Sequence, residues 1–237
     1  MKVAVVGYGK MGREVESVLH ERHHQPQVVA RGAQLPRDCP VGIDFTVAAA
    51  VPANVQKAMA AGTRYVVGTT GWNDKLAEVR AIVEKAGGGL VYAANFSLGV
   101  NLFYRIVTQA AGILARFPDY DPYILERHHR HKADAPSGTA KALAEILAKS
   151  GGRRRRSVSQ LDGALPDDAY HVAAVRAGGI VGDHTVGFDA GGDEILLEHR
   201  ARSRRGFALG AVLAAEWIAT RTGFHSFEAV VTDLAQR

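Results

Sequence analysis

The segment from residue 126 to residue 140, ERHHRHKADAPSGTA, carries the side chains with the clearest chemistry in the chain. His128, His129, Arg130, His131 and Lys132 occupy five consecutive positions. Adjacent groups that are cationic, or can become so, repel one another and lower each other's pKa values, which a fold has little reason to accept unless an anion lies among them. The pattern therefore predicts an anionic ligand.

A helix is predicted to begin directly after this basic run. Pro136 suits a first helical turn and Ser137 suits an N-cap. The apolar residues that follow recur with helical spacing, at Ala140, Leu143, Ala144 and Leu147. The free N–H groups near Ser137, Gly138 and Thr139, at the positive end of the helix dipole, make a second anion site. We therefore expect basic side chains and a helix N-terminus to meet around one ligand.

Two other interpretations of the basic run stay open. A basic run is typical of a solvated face, and clustered histidines can bind zinc. Structural zinc sites normally add cysteines, and this segment has none. We rank the anion site first, the solvated face second and the metal third, and we assign no metal ligand.

Composition limits the class of protein. The chain has 237 residues, 47% of them hydrophobic, so it can bury one large core or two modest ones. Its apolar runs are too short to span a membrane, its first residues read as a strand, and Cys39 is its single cysteine, so we expect a cytoplasmic protein. The arginine run 153–156 is interpreted as a solvated loop because no nucleic-acid-reading motif surrounds it. Neither nucleic acid nor a membrane is an expected partner.

The elements that must position these groups follow two patterns. In the first third, strands at 2–6, 28–30, 43–46, 65–67 and 90–93 alternate with helices, which is typical of a parallel sheet covered on both faces. Later come a helix over 99–117, a strand over 123–126, three strands after residue 171 that we expect to form an antiparallel meander, and a last helix over 206–220. We predict an α/β fold with a Rossmann-type dinucleotide-binding domain, 1–96 and 206–237, plus a smaller α+β domain with a mixed or antiparallel sheet, 97–205.

The turn GYGKMG follows the first strand and opens an amphipathic helix, which is the context of a dinucleotide-binding motif. Gly7 would permit the turn, Gly9 would let a pyrophosphate approach the backbone, and Gly12 would allow close helix packing. The predicted cofactor contacts in this turn are Gly7, Tyr8, Gly9, Lys10, Met11 and Gly12. After the second strand, Arg31 stands near the position where NAD-binding sites usually carry an acidic residue, so NADPH is favoured and NADH is the alternative.

On these motifs the chain resembles the 4-hydroxy-tetrahydrodipicolinate reductase family, long called dihydrodipicolinate reductases. The segment 126–140 is specific to that family. Looser matches are GYGKMG at 7–12, IDFT at 43–46, VGTTGW at 67–72, AANFSLGVN at 93–101 and RAGGIVGDHTV at 176–186. The resemblance implies NAD(P)H-dependent reduction of the dihydrodipicolinate ring, with loss of water, to tetrahydrodipicolinate in lysine and diaminopimelate biosynthesis.

The resemblance also implies residue roles. His128 is similar to the family's general acid and base, and Lys132 to its partner proton donor. The residues similar to substrate-binding ones are His129, Ser137, Gly138, Thr139 and Arg176. Those similar to residues on the nicotinamide side of the cofactor are Gly68, Thr69, Thr70, Ala93, Ala94, Asn95 and Phe96.

For the whole protein, the resemblance implies a cyclic dicarboxylate substrate, hinges near Ser97 and Arg205, and a homotetramer built through the strands after His171. The chain departs from many relatives in its compact stretch around 20–42 and in lacking the acidic residue after the second strand. Two alternatives stay open: another nicotinamide-dependent enzyme for an amino or imino dicarboxylate, and a regulator that binds NADPH without turnover.

Overall fold

The computed structural model describes residues 1–236, which form two compact units. The first unit combines Met1–Leu98 with the described part of Arg204–Arg237, and the second is Gly99–Ser203. In chain order the elements are β1 (Lys2–Val6), α1 (Lys10–Glu21), β2 (Gln25–Val29), β3 (Val41–Asp44), α2 (Val51–Ala60), β4 (Arg64–Val67), α3 (Leu76–Lys85), β5 (Gly89–Tyr92), α4 (Leu98–Leu114), β6 (Asp121–His128), α5 (Gly138–Lys149), β7 (Arg156–Val158), β8 (Ala169–Arg176), β9 (Asp183–Ala190), β10 (Asp193–Arg200), α6 (Arg205–Ile218), β11 (Gly223–Ser226) and α7 (Phe227–Leu234).

A parallel sheet forms the centre of the first unit. Its strand order is β11-β5-β4-β3-β1-β2. One face packs against α1, α6 and α7, and the other packs against α2 and α3. Within β1, Val3 and Val5 face the first of these cores and Ala4 faces the second, so the strand is apolar on both sides. The Rossmann-type prediction is confirmed.

The edges of this sheet are where the sequence pattern was least informative. The second strand begins at Gln25, three positions before the predicted 28–30, and β3 ends at Asp44 rather than residue 46. Edge strand β2 exposes Gln25 and Gln27, and a polar strand of this kind has no apolar run to reveal it. Edge strand β11, sequence GFHS, was not predicted for the same reason. Helix α7 was also not predicted, although Phe227, Val230, Val231 and Leu234 recur with helical spacing.

The second unit is built on a five-stranded mixed sheet in the order β10-β9-β6-β8-β7. The strands β6, β7 and β8 run parallel, whereas β9 and β10 form an antiparallel hairpin beside β6. Apolar residues of α4 and α5 cover one face. The predicted meander is wrong, because β6 lies between β8 and β9. The segment 177–182 reaches across one strand, and six residues can span far more than the roughly 10 Å between alternate strands.

Among residues 1–236, none of the helices combines the length and the apolar character that a bilayer span requires.

Gly210 of α6 gives a direct test of packing in the first unit. A Cβ at this position would lie 1.8 Å from the backbone oxygen of Phe96, whereas a Cβ at Gly112 of α4 would meet nothing within 4 Å. We expect Gly210→Ala to lower the free energy of unfolding by about 1–3 kcal/mol through overpacking. The matched control Gly112→Ala should raise it by roughly 0.5–1 kcal/mol, because alanine favours the helix. Urea denaturation followed by circular dichroism measures both, and equal stability of the two variants would contradict the close packing.

Candidate active site

The carboxyl ends of the parallel strands carry the predicted cofactor residues of the first unit. Because these ends share one edge of the sheet, the segments after β1, β2, β3, β4 and β5 lie along that edge. A cleft of about 720 Å³ opens there. It is lined by Gly7 and Tyr8 after β1, by Arg31 after β2, and by Thr46 and Lys57. The structure thus brings Arg31 to the glycine turn.

The glycine turn has the shape that a dinucleotide pyrophosphate needs. Gly7 has φ +89°, and a Cβ there would lie 2.4 Å from the backbone oxygen of Phe45. A Cβ at Gly12 would lie 2.2 Å from the Gly7 oxygen, so α1 packs closely on the turn. At Gly9, the N-cap of α1, a Cβ would meet nothing within 4 Å, which leaves the helix N-terminus open to an anion. These residues fit the dinucleotide.

The side chains of the other three predicted residues of the turn have different surroundings. Lys10 is exposed in the first turn of α1, Met11 packs against the core, and the Tyr8 hydroxyl donates a hydrogen bond to Glu16. Of these three residues, Tyr8 lines the cleft, whereas Lys10 is exposed at the start of α1.

The residues predicted on the nicotinamide side are held mainly by internal contacts. Thr69 donates its hydroxyl to Asp44 at 3.0 Å and accepts the Thr46 amide at 2.8 Å, and the Asn95 side chain accepts the Ser97 amide at 2.8 Å. Phe96 is 2% exposed and packs on Phe227 in the core, so it offers a ligand only its backbone. Thr70 and Ala94 are exposed, and Gly68 and Ala93 are half-buried.

Asp44 and Lys57 are residues of this edge that the sequence analysis assigned no role. Asp44 is fully buried, and its carboxylate also accepts hydrogen bonds from Thr46, Asn54 and Tyr65. Asp44 could have been identified from the sequence, because it is a charged residue at the end of the apolar strand in IDFT. Lys57 donates to the Gly32 backbone oxygen at 3.2 Å, beside Arg31. Lys57 lies on α2, 26 residues after Arg31, and no sequence motif links the two residues, so the sequence alone did not identify it.

The basic segment of the second unit spans the end of β6 and the start of α5. Strand alternation turns Ile124, Glu126 and His128 to the buried face of the sheet. Helix α5 begins at Gly138, and the Ser137 hydroxyl caps it by accepting the Ala140 amide at 3.2 Å. The prediction of Ser137 as N-cap is therefore confirmed. Pro136, which we predicted in the first helical turn, precedes the cap instead.

Glu126 holds the centre of this site. Its carboxylate is fully buried. One oxygen, Oε1, accepts the Ser137 amide at 2.9 Å and the Arg176 guanidinium at 2.7 Å. The other, Oε2, lies 3.5 Å from His128 Nδ1 and 3.5 Å from His184 Nε2. Four groups from four places in the chain therefore surround one negative charge.

The pKa values of the cluster follow from this arrangement. Burial alone would raise the pKa of Glu126, but hydrogen bonds from His184, Ser137 and Arg176 hold it well below its ordinary range, so the carboxylate stays ionised. Burial lowers the pKa of His128 to about 4, and electrostatic interactions with His184, Lys132 and Arg176 add to this effect against the attraction of Glu126. His128 is therefore neutral at neutral pH without a ligand.

The remaining predicted residues of the second unit surround this cluster. Lys132 binds Asp134 at 2.7 Å, and its turn is closed by the hydrogen bond from its amide to the His129 oxygen. Arg176 donates Nη2 to both Glu126 and the Asp134 backbone oxygen, so that nitrogen is turned inward. His129 and Thr139 are half-buried, and Gly138 is exposed at the start of α5.

Glu126 and His184 are the site residues that the sequence analysis missed. Glu126 stands two residues before His128 in a strand, a spacing that puts both on one face and could have identified it. His184 comes from β9, where it pairs across the ladder with Glu126. Only the strand order, which the meander prediction had wrong, reveals that contact.

The fold and the site define a two-domain oxidoreductase of the class that binds a nicotinamide dinucleotide. Residues 23–96 match the family model described as dihydrodipicolinate reductase, N-terminus, and residues 99–231 match the one described as dihydrodipicolinate reductase, C-terminus. The chain belongs to the dihydrodipicolinate reductase family.

Individual relatives agree with this assignment. The chain is 36% identical over 239 residues to the 4-hydroxy-tetrahydrodipicolinate reductase of Christiangramia forsetii, covering 99% of each chain. It is 43% identical over 201 residues to that of Archaeoglobus fulgidus, covering 81% of this chain and 75% of the relative. Its fold is similar to that of the dipicolinate-bound dihydrodipicolinate reductase from Paenisporosarcina sp. TG-14, with a TM-score of 0.74, 24% identity, and 97% and 98% of the two chains covered. A diaminopimelate dehydrogenase of C. glutamicum shares the fold at a TM-score of 0.52 and 15% identity, covering 100% of this chain and 98% of that one.

The low pKa of His128 predicts how the stability of the second unit depends on pH. The unfolded chain takes up a proton at His128 below the ordinary value of 6.5, whereas the folded protein takes it up only near 4. The unfolded state therefore binds more protons between these values, and the free energy of unfolding should fall by up to roughly 3 kcal/mol as the pH drops through this window. Glu126 stays ionised throughout it.

Urea unfolding at several pH values between 7 and 4 measures this effect. His128→Asn should remove most of the decline, whereas the control His20→Asn, at an exposed position of α1, should retain it. The same pH slope in His128→Asn as in the unmodified protein would show that the imidazole is not buried as described.

Proposed function

We propose that this chain is a 4-hydroxy-tetrahydrodipicolinate reductase that uses NAD(P)H to reduce the dihydrodipicolinate ring, with loss of water, to tetrahydrodipicolinate in lysine and diaminopimelate biosynthesis. One observation carries the proposal: residues of the family-specific segment 126–140 meet in a cluster around Glu126. This cluster contains His128 and Ser137, the residue that caps the start of α5. Dipicolinate, bound in the Paenisporosarcina relative, is a cyclic dicarboxylate, and that supports a ligand of the same chemistry here.

The start of α5 is the proposed binding site for a substrate carboxylate. The N–H groups of Gly138 and Thr139 lie at the positive end of the helix, and a Cβ on Gly138 would meet nothing within 4 Å, so a ligand can approach the backbone. His129 contributes from the end of β6. Arg176 is the further proposed substrate-binding residue, and its Nη2 also supports the site from inside through Glu126.

Proton transfer is assigned to His128 and Lys132. When bound, the nicotinamide supplies the hydride to the unsaturated ring. His128 is neutral in the free protein, and a dianionic ligand beside it would raise its pKa and allow it to act as an acid. Lys132 brings an ammonium group that Asp134 holds at 2.7 Å. Lys132, together with His128 once it is protonated, also stabilises negative charge that develops on the ring as hydride arrives.

The first unit is proposed to bind the dinucleotide, with NADPH favoured over NADH. Two cationic side chains, Arg31 after β2 and Lys57 on α2, line the cleft, and the described residues that line it include no acidic side chain. A ribose 2′-phosphate is the group that two cations at this position would recognise. NADH remains the alternative cofactor.

The second unit is proposed to hold the substrate and to build a homotetramer. Its edge strand β10 exposes Leu196 and its strand β8 exposes Val175, apolar residues that a partner subunit could cover. Because the proposed reaction belongs to amino-acid biosynthesis, we place the enzyme in the cytoplasm.

A coupled assay tests the proposed reaction. The substrate is generated by its synthase from pyruvate and aspartate semialdehyde, and absorbance at the NADPH band is followed. We expect rapid, substrate-dependent oxidation, with His128→Gln and Lys132→Met each lowering kcat by roughly 10²–10⁴-fold while NADPH binding stays nearly unchanged. His131→Gln, at an exposed position of the same segment, is the matched control and should retain activity. Failure to oxidise either NADPH or NADH would rule out the reductase, and normal turnover of both variants would rule out the residue roles.

Cofactor preference is tested at Arg31. Arg31→Glu replaces a phosphate-binding cation with a repelling charge, so the ratio of kcat/KM for NADPH to that for NADH should fall by roughly 10- to 100-fold. Arg37→Glu makes the same change of charge in the same loop region, at an exposed residue outside the lining of the cleft, and should leave the ratio unchanged. Equal ratios in the two variants would remove Arg31 from the cofactor site.

A further inference from the structure

The carboxylate of Glu126 is built into the protein as an acceptor with a fixed orientation. The Ser137 amide at 2.9 Å and the Arg176 guanidinium at 2.7 Å both bind Oε1, which prevents the carboxylate from rotating. Oε2 thereby faces two imidazole nitrogens, His128 Nδ1 and His184 Nε2, each 3.5 Å away. Both Oε2 and Nδ1 are buried and have no closer partner among the described residues.

We propose that Glu126 is a positioning residue that fixes the tautomer of His128, with the proton on Nδ1 and with Nε2 as the free nitrogen that exchanges a proton with the ligand. An ionised carboxylate can only accept, so an imidazole nitrogen facing it is favoured when it carries the hydrogen. A small rotation of the ring would bring the pair into the usual hydrogen-bond range of roughly 2.7–3.2 Å. The proposal rests on the proposed function only in naming the ligand that Nε2 serves.

Gly182, just before β9, lies against the opposite side of the His128 ring. A Cβ at this position would lie 2.9 Å from His128 Nε2, so any side chain there would crowd that nitrogen. The two ring nitrogens therefore have different surroundings: Nδ1 faces a buried anion, and Nε2 lies beside a residue without a side chain.

The other charged groups around His128 reinforce this arrangement. Arg176 on β8 and Lys132 in the turn after β6 are cations, and His184 on β9 packs edge-on against the His128 ring at 5.0 Å between centroids. These groups disfavour an imidazolium in the absence of ligand, so a neutral ring with one N–H remains. His184 Nε2 lies 3.2 Å from the Ser137 hydroxyl, which gives it a partner besides Oε2.

A bound metal is the competing explanation of the same geometry. Glu126, His128 and His184 each offer one ligand atom, all within 4.8 Å of one another. A divalent ion would then take the place of the proton between Nδ1 and Oε2. The guanidinium of Arg176 on the same carboxylate opposes a second, doubly charged cation there, and we therefore favour the proton.

The tautomer can be measured directly in the ligand-free protein. Long-range ¹H–¹⁵N spectra of ¹⁵N-histidine-labelled protein separate the two nitrogens of each ring, and His128→Gln assigns the signals of His128. We expect Nδ1 protonated and Nε2 unprotonated, with no change when EDTA is added. The opposite tautomer overturns the proposal, and so does a spectrum that changes when EDTA removes a metal. This result needs no turnover and no variant of Glu126.

Variants of Glu126 test whether its carboxylate determines the tautomer of His128. In Glu126→Gln the amide NH₂ can donate toward Nδ1, so the tautomer should reverse and kcat should fall by roughly 10- to 100-fold. Glu126→Asp keeps an acceptor and should keep the Nδ1–H form with a smaller loss of kcat and a pH–rate profile close to that of the unmodified enzyme. Glu145→Gln, on the exposed side of α5, is the matched control and should change neither property.

The two proposals fail in distinguishable ways. A protein with the expected tautomer but no reductase activity would contradict the proposed function alone. Equal losses of kcat in Glu126→Gln and Glu126→Asp with the tautomer unchanged in both would mean that Glu126 acts only in folding, and this would overturn the positioning role.

Discussion

The charge of one buried carboxylate, Glu126, organises the second unit. A carboxylate taken out of water is costly unless donors surround it, so the fold must supply them. It does so from β6 itself, from the cap of α5, from β8 and from β9, through His128, Ser137, Arg176 and His184. Satisfying this charge brings together groups far apart in the chain. The contacts that stabilise this one buried charge therefore also assemble the candidate site.

The first unit uses the same physical device at the end of β3. Asp44 is buried, and its two oxygens accept hydrogen bonds from Thr46, Thr69, Asn54 and Tyr65. Those donors come from the segments after β3 and β4, from α2 and from β4 itself, so one buried carboxylate sets the spacing of neighbouring loops along this edge of the sheet. Binding loops held in this way need little rearrangement to receive a ligand, because their backbone is already ordered around the carboxylate.

Local sequence patterns were sufficient to predict several strands and the start of α5. Apolar runs located β1, β4 and β5, and the serine before a helical pattern located the start of α5, because both depend on nearest neighbours along the chain. The basic run at 128–132 indicated lowered pKa values, and the structure adds burial as the larger cause for His128. What could not be predicted depends on pairing at long range. Glu126 meets His184 only because β9 lies beside β6, and Pro136 was misplaced because proline is compatible with both sides of a cap.

The order of the two units along the chain affects how the protein folds during synthesis. The second unit is one continuous stretch, Gly99–Ser203, whereas the first needs β11 and α6 from beyond residue 204 to finish its sheet and cover one face. When the second unit has all of its residues during synthesis, the sheet formed by β1 to β5 would still have one apolar face covered only by α1, because α6 and α7 are not yet made. The dinucleotide-binding half therefore reaches its final structure last, and during that interval its exposed apolar face is the surface that a chaperone would protect.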